Sequence, residues 1–420
     1  MKTMTMEKLG MIIMFPAILT LFDTPNTNVT TDPGLSDEMK TFYSDYLIDN
    51  AEPNLVHDQF GQKHPIPKNG GKNIEFRKYD PLAKITAPIT EGVTPAGQKL
   101  EMGVVTATVK QYGGYVTLSD MLIWTAIDNN MMIATELLGA QAGRTLDTIT
   151  RDIINAGTVV QFADGKVSAR KDLSYTDESN NNNLNVTAIR MAVRALRVQN
   201  AMPFEGGYFV AIIHPDCAYD LMSDPEWRKP HEYVDTEHLY KGEIGEIAGC
   251  RFVQTTEAKK FAAVALASDS QTLTVNNPSQ SGSTTVPFDG GTVQASALVG
   301  RMVNIGGTVT KVTANTTSQL TVSDAITCAD DTVIYPGEGG KNGRDVYSTL
   351  MIAKNAYGVT EITGGGLEFI AKQLGSGGTA DPLNQRATCG WKATKTAERL
   401  VEQYMVRIET TSTYNDHTAN

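Results

Sequence analysis

Ile74-Glu75-Phe76-Arg77 and, after a long detour, Val105-Thr106-Ala107-Thr108-Val109-Lys110 are two runs in which apolar and polar side chains alternate. A period of two is the signature of strands with one buried face, so the pair reads as a two-stranded ladder. The detour between them is far too long for a tight hairpin turn. It is punctuated by Pro81, Pro88, Gly92, Pro95, Gly97 and Gly103 and carries few large apolar residues, so it has no core of its own and needs a partner to order it.

The return strand leads into a helix. Asp128 or Asn129 can cap its start and Gly157 sits just past its end, which predicts a helix over 129–156 of about 42 Å at ~1.5 Å per residue. Leu138, Ala142, Leu146, Ile149 and Ile153 recur at spacings of three and four and form one apolar stripe. Arg144, Asp147 and Arg151 are expected on the wet side, at ion-pairing spacings. Gly139 and Gly143 each cost about 1 kcal/mol in a helix interior, which points to close packing or a bend there.

Composition sets the frame. The 420 residues are 41% hydrophobic and 20% charged, ordinary for a globular chain with room for two or three domains. The net charge of -11 argues against a sequence-independent grip on nucleic acid by the whole chain, although a local basic patch remains open. Cys217, Cys250, Cys328 and Cys389 show no CxxC spacing, so they read as free thiols suited to a reducing compartment rather than a zinc site or disulfide framework. Lys2 and Lys8 precede the apolar run Met11 to Phe22 in the order of a secretory signal, but no small-x-small cleavage site follows, and the run is too short to span a bilayer. An amphipathic or disordered arm, or a start assigned too far upstream, fits residues 1–27 better.

Elsewhere the chain alternates irregularly between strands and helices, which favours an α+β layer. Residues 28–71 read as an extended arm with one short helix opened by Ser36, and Pro65 to Gly71 as a turn. A helix capped by Thr187 turns Ile189, Val193 and Leu196 inward and Arg190, Arg194 and Arg197 outward. Tyr208 to Ile213 is a continuous apolar strand of the kind covered on both faces, stopped by His214-Pro215-Asp216 and followed by a short helix from Cys217 to Met222. Further strands are expected at Arg251–Gln254, Ala262–Leu266, Val346–Ala353, Leu367–Ala371 and Leu400–Ile408. Residues 268–340, rich in Thr, Ser, Gly, Val and Asn and without helical periodicity, read as a small all-β domain inserted into the host fold.

Nothing in the pattern carries catalysis. His57, His64, His214, His231, His238 and His417 make no HExxH or comparable spacing. No nucleophile elbow, phosphate-binding loop or dinucleotide fingerprint follows a strand, and Gly364-Gly365-Gly366 reads as a tight turn. The expectation is a non-enzyme with no catalytic, cofactor or metal site.

Several separated stretches resemble one family. They are Asn54 to Gly61, Ile74 to Tyr79, Thr90 to Pro95, Tyr115 to Asp120, Leu138 to Asp147, Gly364 to Glu368, Gly378 to Arg386 and Gly390 to Ala397. Together they resemble the major capsid proteins of tailed bacteriophages in the phage N4-like group, over about 28–265 and 341–412. The resemblance implies the Hong Kong 97-type capsid fold and a structural protein that self-assembles into pentamers and hexamers of an icosahedral head around double-stranded DNA. It implies an N-terminal arm at 28–71, peripheral-domain strands at 72–118 with an extended loop at about 80–104, and a peripheral domain at 119–184 holding the spine helix. The axial domain would come from 185–267 and 341–398, and residues 399–420 would return a strand to the peripheral sheet and end in a tail. The inserted domain and residues 1–27 lie outside the match.

In such a shell each extended loop lies across an adjacent subunit, with Ile85, Ile89, Val93, Leu100 and Met102 as its expected contacts. Lys84 and Lys99 could join a neighbour's asparagine, as happens in some such shells, although ordinary solvated lysines are the favoured reading. Implied partners are other copies of the chain, a portal, scaffold or decoration proteins, and packaged DNA without sequence-specific binding; no membrane is implied. The implied location is the virion, after assembly in the host bacterial cytoplasm. Two rivals remain: an encapsulin-like cellular nanocompartment shell, and a secreted β-rich surface or glycan-binding protein.

Overall fold

A computed structural model describes residues 47, 55–65, 72–79, 82, 84–89, 91–92, 94, 97–100, 102–125, 130–178, 180–227, 245–276, 278–360, 367–376 and 381–420. The expected short helix opened by Ser36, the signal-like run, Val93, the Gly364–Gly366 turn and the loop holding His231 and His238 lie outside these residues. The chain divides into two compact units. One comprises 1–50, 113–142 and 367–392; the other comprises 51–112, 143–366 and 393–420.

The larger unit is built on a mixed sheet. Val346–Ile352 runs antiparallel to Met405–Thr410 on one side and to Phe209–Ile213 on the other. Phe209–Ile213 pairs in parallel with Cys250–Gln254, Met405–Thr410 pairs in parallel with Val160–Phe162, and Lys260–Phe261 adds a short pairing to the start of Val346–Ile352. Both faces are covered. Val210, Ile212, Leu350 and Ile352 meet Ile154, Tyr357 and Val359 on one face, while Phe209, Ala211, Ile213, Tyr347 and Met351 meet two helices on the other. That double burial is why Phe209 to Ile213 is apolar without alternation.

Four helices are used below: α1 (Asp120–Thr125), α2 (Asn130–Asn155), α3 (Val186–Val198) and α4 (Pro215–Ser223). α3 buries Val186, Ala188, Ile189, Ala192, Val193 and Leu196, as its spacing predicts. Its cap is Asn185 rather than Thr187, because the Asn185 side-chain Oδ1 accepts the Ala188 N–H at 2.8 Å. α4 begins at Pro215, whose missing N–H costs nothing in the first turn, and His214 caps it by accepting the Asp216 N–H through Nδ1.

A second small sheet lines Tyr357–Thr360 between Gln62–His64, parallel, and Ala397–Arg399, antiparallel. Gly358 sits there under the Phe76 ring. A Cβ built on it would lie 2.4 Å from that ring, so only glycine fits.

Within the same unit, Leu273–Val275, Gln280–Asp289, Met302–Ile305, Thr308–Asn315, Gln319–Cys328 and Val333–Pro336 close into a barrel. Closure leaves no strand edge to pair with other chains. Inward residues alternate with outward ones: Val286, Phe288, Val303, Ile305, Val312, Leu320, Val322 and Ile334 fill the interior, so this is a packed core and not a channel.

In the smaller unit, Arg386–Lys395 lies between Leu367–Lys372 and Lys110–Ser119 in a three-stranded sheet. Gly390 packs directly on the neighbouring strand, where a Cβ would come within 2.7 Å of the Gly114 carbonyl.

Three sequence expectations are corrected. Ala262–Leu266 is not a strand; the strand is only Lys260–Phe261, and Ala262 and Ala263 are buried as irregular backbone instead. The C-terminal strand is Met405–Thr410, and it does not join a separate peripheral sheet but pairs with Val346–Ile352 in the main one. Conversely, Leu367–Lys372 and Arg386–Lys395, expected in the axial part, pair in the sheet that includes Lys110–Ser119. Sequence order does not reveal such crossovers, because any apolar strand can complete either sheet.

Candidate functional site

The two-stranded ladder forms as expected. Asn73–Tyr79 pairs antiparallel with Met102–Thr108 in register from Asn73 opposite Thr108 to Tyr79 opposite Met102. Its foot is anchored by burial of Ile74, Phe76 and Ala107 in a cluster with Leu400, to which Val105, Val109 and Val401 add contacts. A buried Phe contributes roughly 1.5–3 kcal/mol, so this cluster holds the ladder to the unit.

Above the foot the surroundings change. Ile85 and Ile89 are each 73% exposed, Leu100 is 62% exposed and Met102 is 49% exposed. Leu82 and Val104 are exposed as well. The four described members of the expected contact set are therefore displayed rather than packed. A run of large aliphatic side chains with this much accessible surface marks a surface that gains by association.

The same unit shows how the chain before the ladder is fastened. Leu55 to Gly61 sits against the second half of α2 through polar groups. The Asp147 carboxylate accepts the His57 backbone N–H at 2.7 Å and pairs with His57 Nδ1 at 2.7 Å. Asp58 accepts the Thr150 hydroxyl at 2.6 Å and forms an ion pair with Lys395, while the Tyr357 hydroxyl donates to the His57 carbonyl. His57, Asp147, Thr150 and Lys395 are all buried. A buried charge without a partner is costly, so this set of mutually satisfied groups fixes one placement of the segment.

The expectation of a wet face on α2 is thus half wrong. Arg144 is exposed and its Nε donates to Glu257 at 2.8 Å, but Asp147 and Arg151 are buried. Arg151 donates from Nη1 to the Glu257 carbonyl at 3.0 Å. The reason is that polar residues face other polar backbone and side chains there, a pairing that helical periodicity alone cannot show. Of the expected packing stripe, Leu138, Ala142 and Leu146 are buried, whereas Ile149 and Ile153 are half-buried; Ile154, one position on, is the buried isoleucine. Gly139 and Gly143 are buried, in keeping with close packing on that side.

In the smaller unit, α1 has no buried residue, and Met121, Leu122, Ile123 and Trp124 are all exposed, Trp124 by 83%. Ile133 and Leu137, four apart on α2, are exposed too. Sequence reading missed α1 because four apolar residues in a row carry no period; Ser119, whose hydroxyl accepts the Leu122 N–H, was the available signal.

Reactive chemistry is muted. Burial pushes the Cys217 and Cys250 thiols far above their ordinary value, so they stay protonated and unreactive. All four cysteines are free. Burial lowers His214, with Asp216 opposing that shift. Among the described residues no group of three or more His, Cys, Asp or Glu side chains could hold a metal ion, and no helix is long and apolar enough to cross a membrane.

The fold of the chain is similar to that of phage capsid subunits. The chain superposes on the capsid of Ralstonia phage GP4 with a TM-score of 0.53 at 11% identity, covering 95% of this chain and 98% of that one. It superposes on the capsid of cyanophage Pam1 with a TM-score of 0.51 at 10% identity, covering 93% and 98%. At these identities the likeness shows the fold. In sequence, the family described as phage capsid protein matches residues 103–245, which span the return strand of the ladder, α2, α3 and α4. No curated protein matches. The family match and the shared fold together support a structural capsid protein of a bacteriophage.

Proposed function

We propose that the chain is the major subunit of an icosahedral phage head of the Hong Kong 97 type, closing as pentamers and hexamers around double-stranded DNA. The observation that carries this reading is the ladder: its foot is buried in its own subunit and its described apolar tip residues are not. A single chain gains nothing from that arrangement. A neighbour in a closed shell would cover Ile85, Ile89, Leu100 and Met102, with Val93 as the fifth contact, and the loop of each copy would lie on the next in a head-to-tail ring. The stripe of Leu138, Ala142 and Leu146 holds α2 in place, and the Leu55–Gly61 clasp ends an arm formed by 28–71.

In the same reading, 185–267 and 341–366 contribute to the axial part and the barrel within 268–340 is an addition to the minimal fold that decorates the outer surface. A portal and a scaffold or decoration protein complete the particle, which would assemble in the host bacterial cytoplasm. The resemblance to the phage N4-like group supplies the particular lineage. Sedimentation velocity on the purified chain tests the proposal: particles of hundreds of subunits are expected, and a chain that stays monomeric at high concentration and in crowding agents overturns it.

A further inference from the structure

We propose that the outer face of α3 is a polyanion-binding groove that takes the phosphate backbone of double-stranded DNA. This rests on the shell reading above, which puts DNA against the subunit, but the groove itself is defined by the fold. Arg190, Arg194 and Arg197 line a depression of about 660 Å³ with Val193, Val198 and Ala248, and no carboxylate lines it among the described residues. The chain as a whole carries an excess of acid, 47 Asp and Glu against 36 Lys and Arg. Most of its other described arginines are spoken for: Arg144, Arg151, Arg170, Arg301, Arg399 and Arg407 each face a carboxylate. Among the described residues Arg194 and Arg197 have no ion-pair partner. Arg190 meets Glu226 at 3.0 Å, with both side chains at least half exposed. Such a pair is worth about 0–1 kcal/mol, and a phosphate can displace it.

The geometry suits a continuous polyanion. The three arginines rise about 6 Å and then about 4.5 Å along the helix, ~10.5 Å in all, the length of about three base-pair steps at ~3.4 Å of axial rise each. The guanidinium fork matches phosphate oxygens in pairs and remains charged at any relevant pH. One end of the row is positioned by the turn before the strand Cys250–Gln254: Gly249, at φ +77°, lets Arg197 pack so close that a Cβ would lie 3.0 Å from its Nη2. Among the described residues one helix face and one turn line it, as an open depression rather than an enclosed cavity. That favours a long duplex over a small enclosed anion. Elsewhere the acidic surface repels DNA, so the contact stays weak and local, which a genome that must leave its container requires.

The test is fluorescence anisotropy of a labelled 20-base-pair duplex with the full-length chain, between 25 and 200 mM salt. The expected result is weak, sequence-independent binding whose log K falls with log salt at a slope of about -2.7, from three phosphates at ~0.9 each. Arg194→Glu with Arg197→Glu should weaken binding at least tenfold and reduce the slope to about -0.9. The control, Arg77→Glu with Arg386→Glu, changes the net charge equally at exposed positions outside the groove and should lose little. Equal losses in both double variants, no binding by the native chain at 25 mM salt, or tighter binding of a poly-glutamate peptide than of the duplex would each overturn the proposal. Circular dichroism checks that both variants fold, and micrographs of the same samples report shell formation separately, so failure of the groove and failure of the shell reading are distinguishable.

Discussion

Replacing Ile85 and Ile89 by aspartate separates assembly from folding. Full burial of an isoleucine side chain is worth roughly 1.5–3 kcal/mol. Each of these two retains 73% of its exposure in the isolated subunit, so about 1.1–2.2 kcal/mol per residue is still available to a neighbour. Together they offer about 2–4 kcal/mol per loop, and at ~1.4 kcal/mol per decade that is roughly a 40- to 1,000-fold change in the affinity of one subunit for the next. The subunit itself should not notice, because surface substitutions away from packed groups usually fall within about ±0.5 kcal/mol. The assay pairs light scattering against protein concentration, which gives the assembly threshold, with calorimetric melting of the unassembled chain. The expected result is a threshold raised by more than about tenfold with an unchanged melting temperature. A threshold within threefold of the native one, or a fall of several degrees in melting, would refute the reasoning, since the loop would then be packing on its own subunit.

Further outcomes follow from buried groups. Leu146→Ala removes a fully buried side chain from α2 and should cost about 2.7–5 kcal/mol in urea unfolding, whereas Leu137→Ala, exposed on the same helix, should cost under about 1 kcal/mol. Lys395→Met leaves the Asp58 carboxylate buried without its cation and should destabilise by about 3–5 kcal/mol; adding Asp58→Asn should recover part of that, and a further loss instead would contradict the ion-pair account. His214 is held below its ordinary value by burial, so on acidification the unfolded chain takes up the proton first. Its contribution to stability is present above about pH 6.5 and is lost as pH falls below that and through the lowered folded-state value. The urea midpoint should therefore drop between pH 7.5 and 5.5, and drop less in His214→Asn, which keeps a capping acceptor; parallel pH dependence in the two proteins would rule this out.

Much of the fold was legible where one physical rule dominates. The ladder was readable from period-two alternation, and its register places Ile74 and Phe76 on the buried side with Glu75 and Arg77 exposed. α2 begins and ends within a residue of the expected positions, and the all-apolar run at Phe209–Ile213 lies in the sheet covered on both faces. The Thr-rich, turn-punctuated segment closes into the barrel. What escaped depends on long-range pairing. Nothing local says that Met405–Thr410 joins Val346–Ile352, or that Asp147 and Arg151 turn inward to His57 and Glu257, because polar residues on a helix look solvated until their partners are known. The displayed tip could be inferred from composition, since a loop with few large apolar residues has no core; which surface covers it is not a property of one chain.

The shell account turns on where the tip of the loop lies, and cryo-electron microscopy of the purified, assembled protein measures that directly. The account predicts closed particles with fivefold and sixfold capsomers, in which the segment bearing Ile85, Ile89 and Leu100 runs over the adjacent subunit and is buried there. Absence of closed particles, or a loop folded back onto its own subunit, would contradict it.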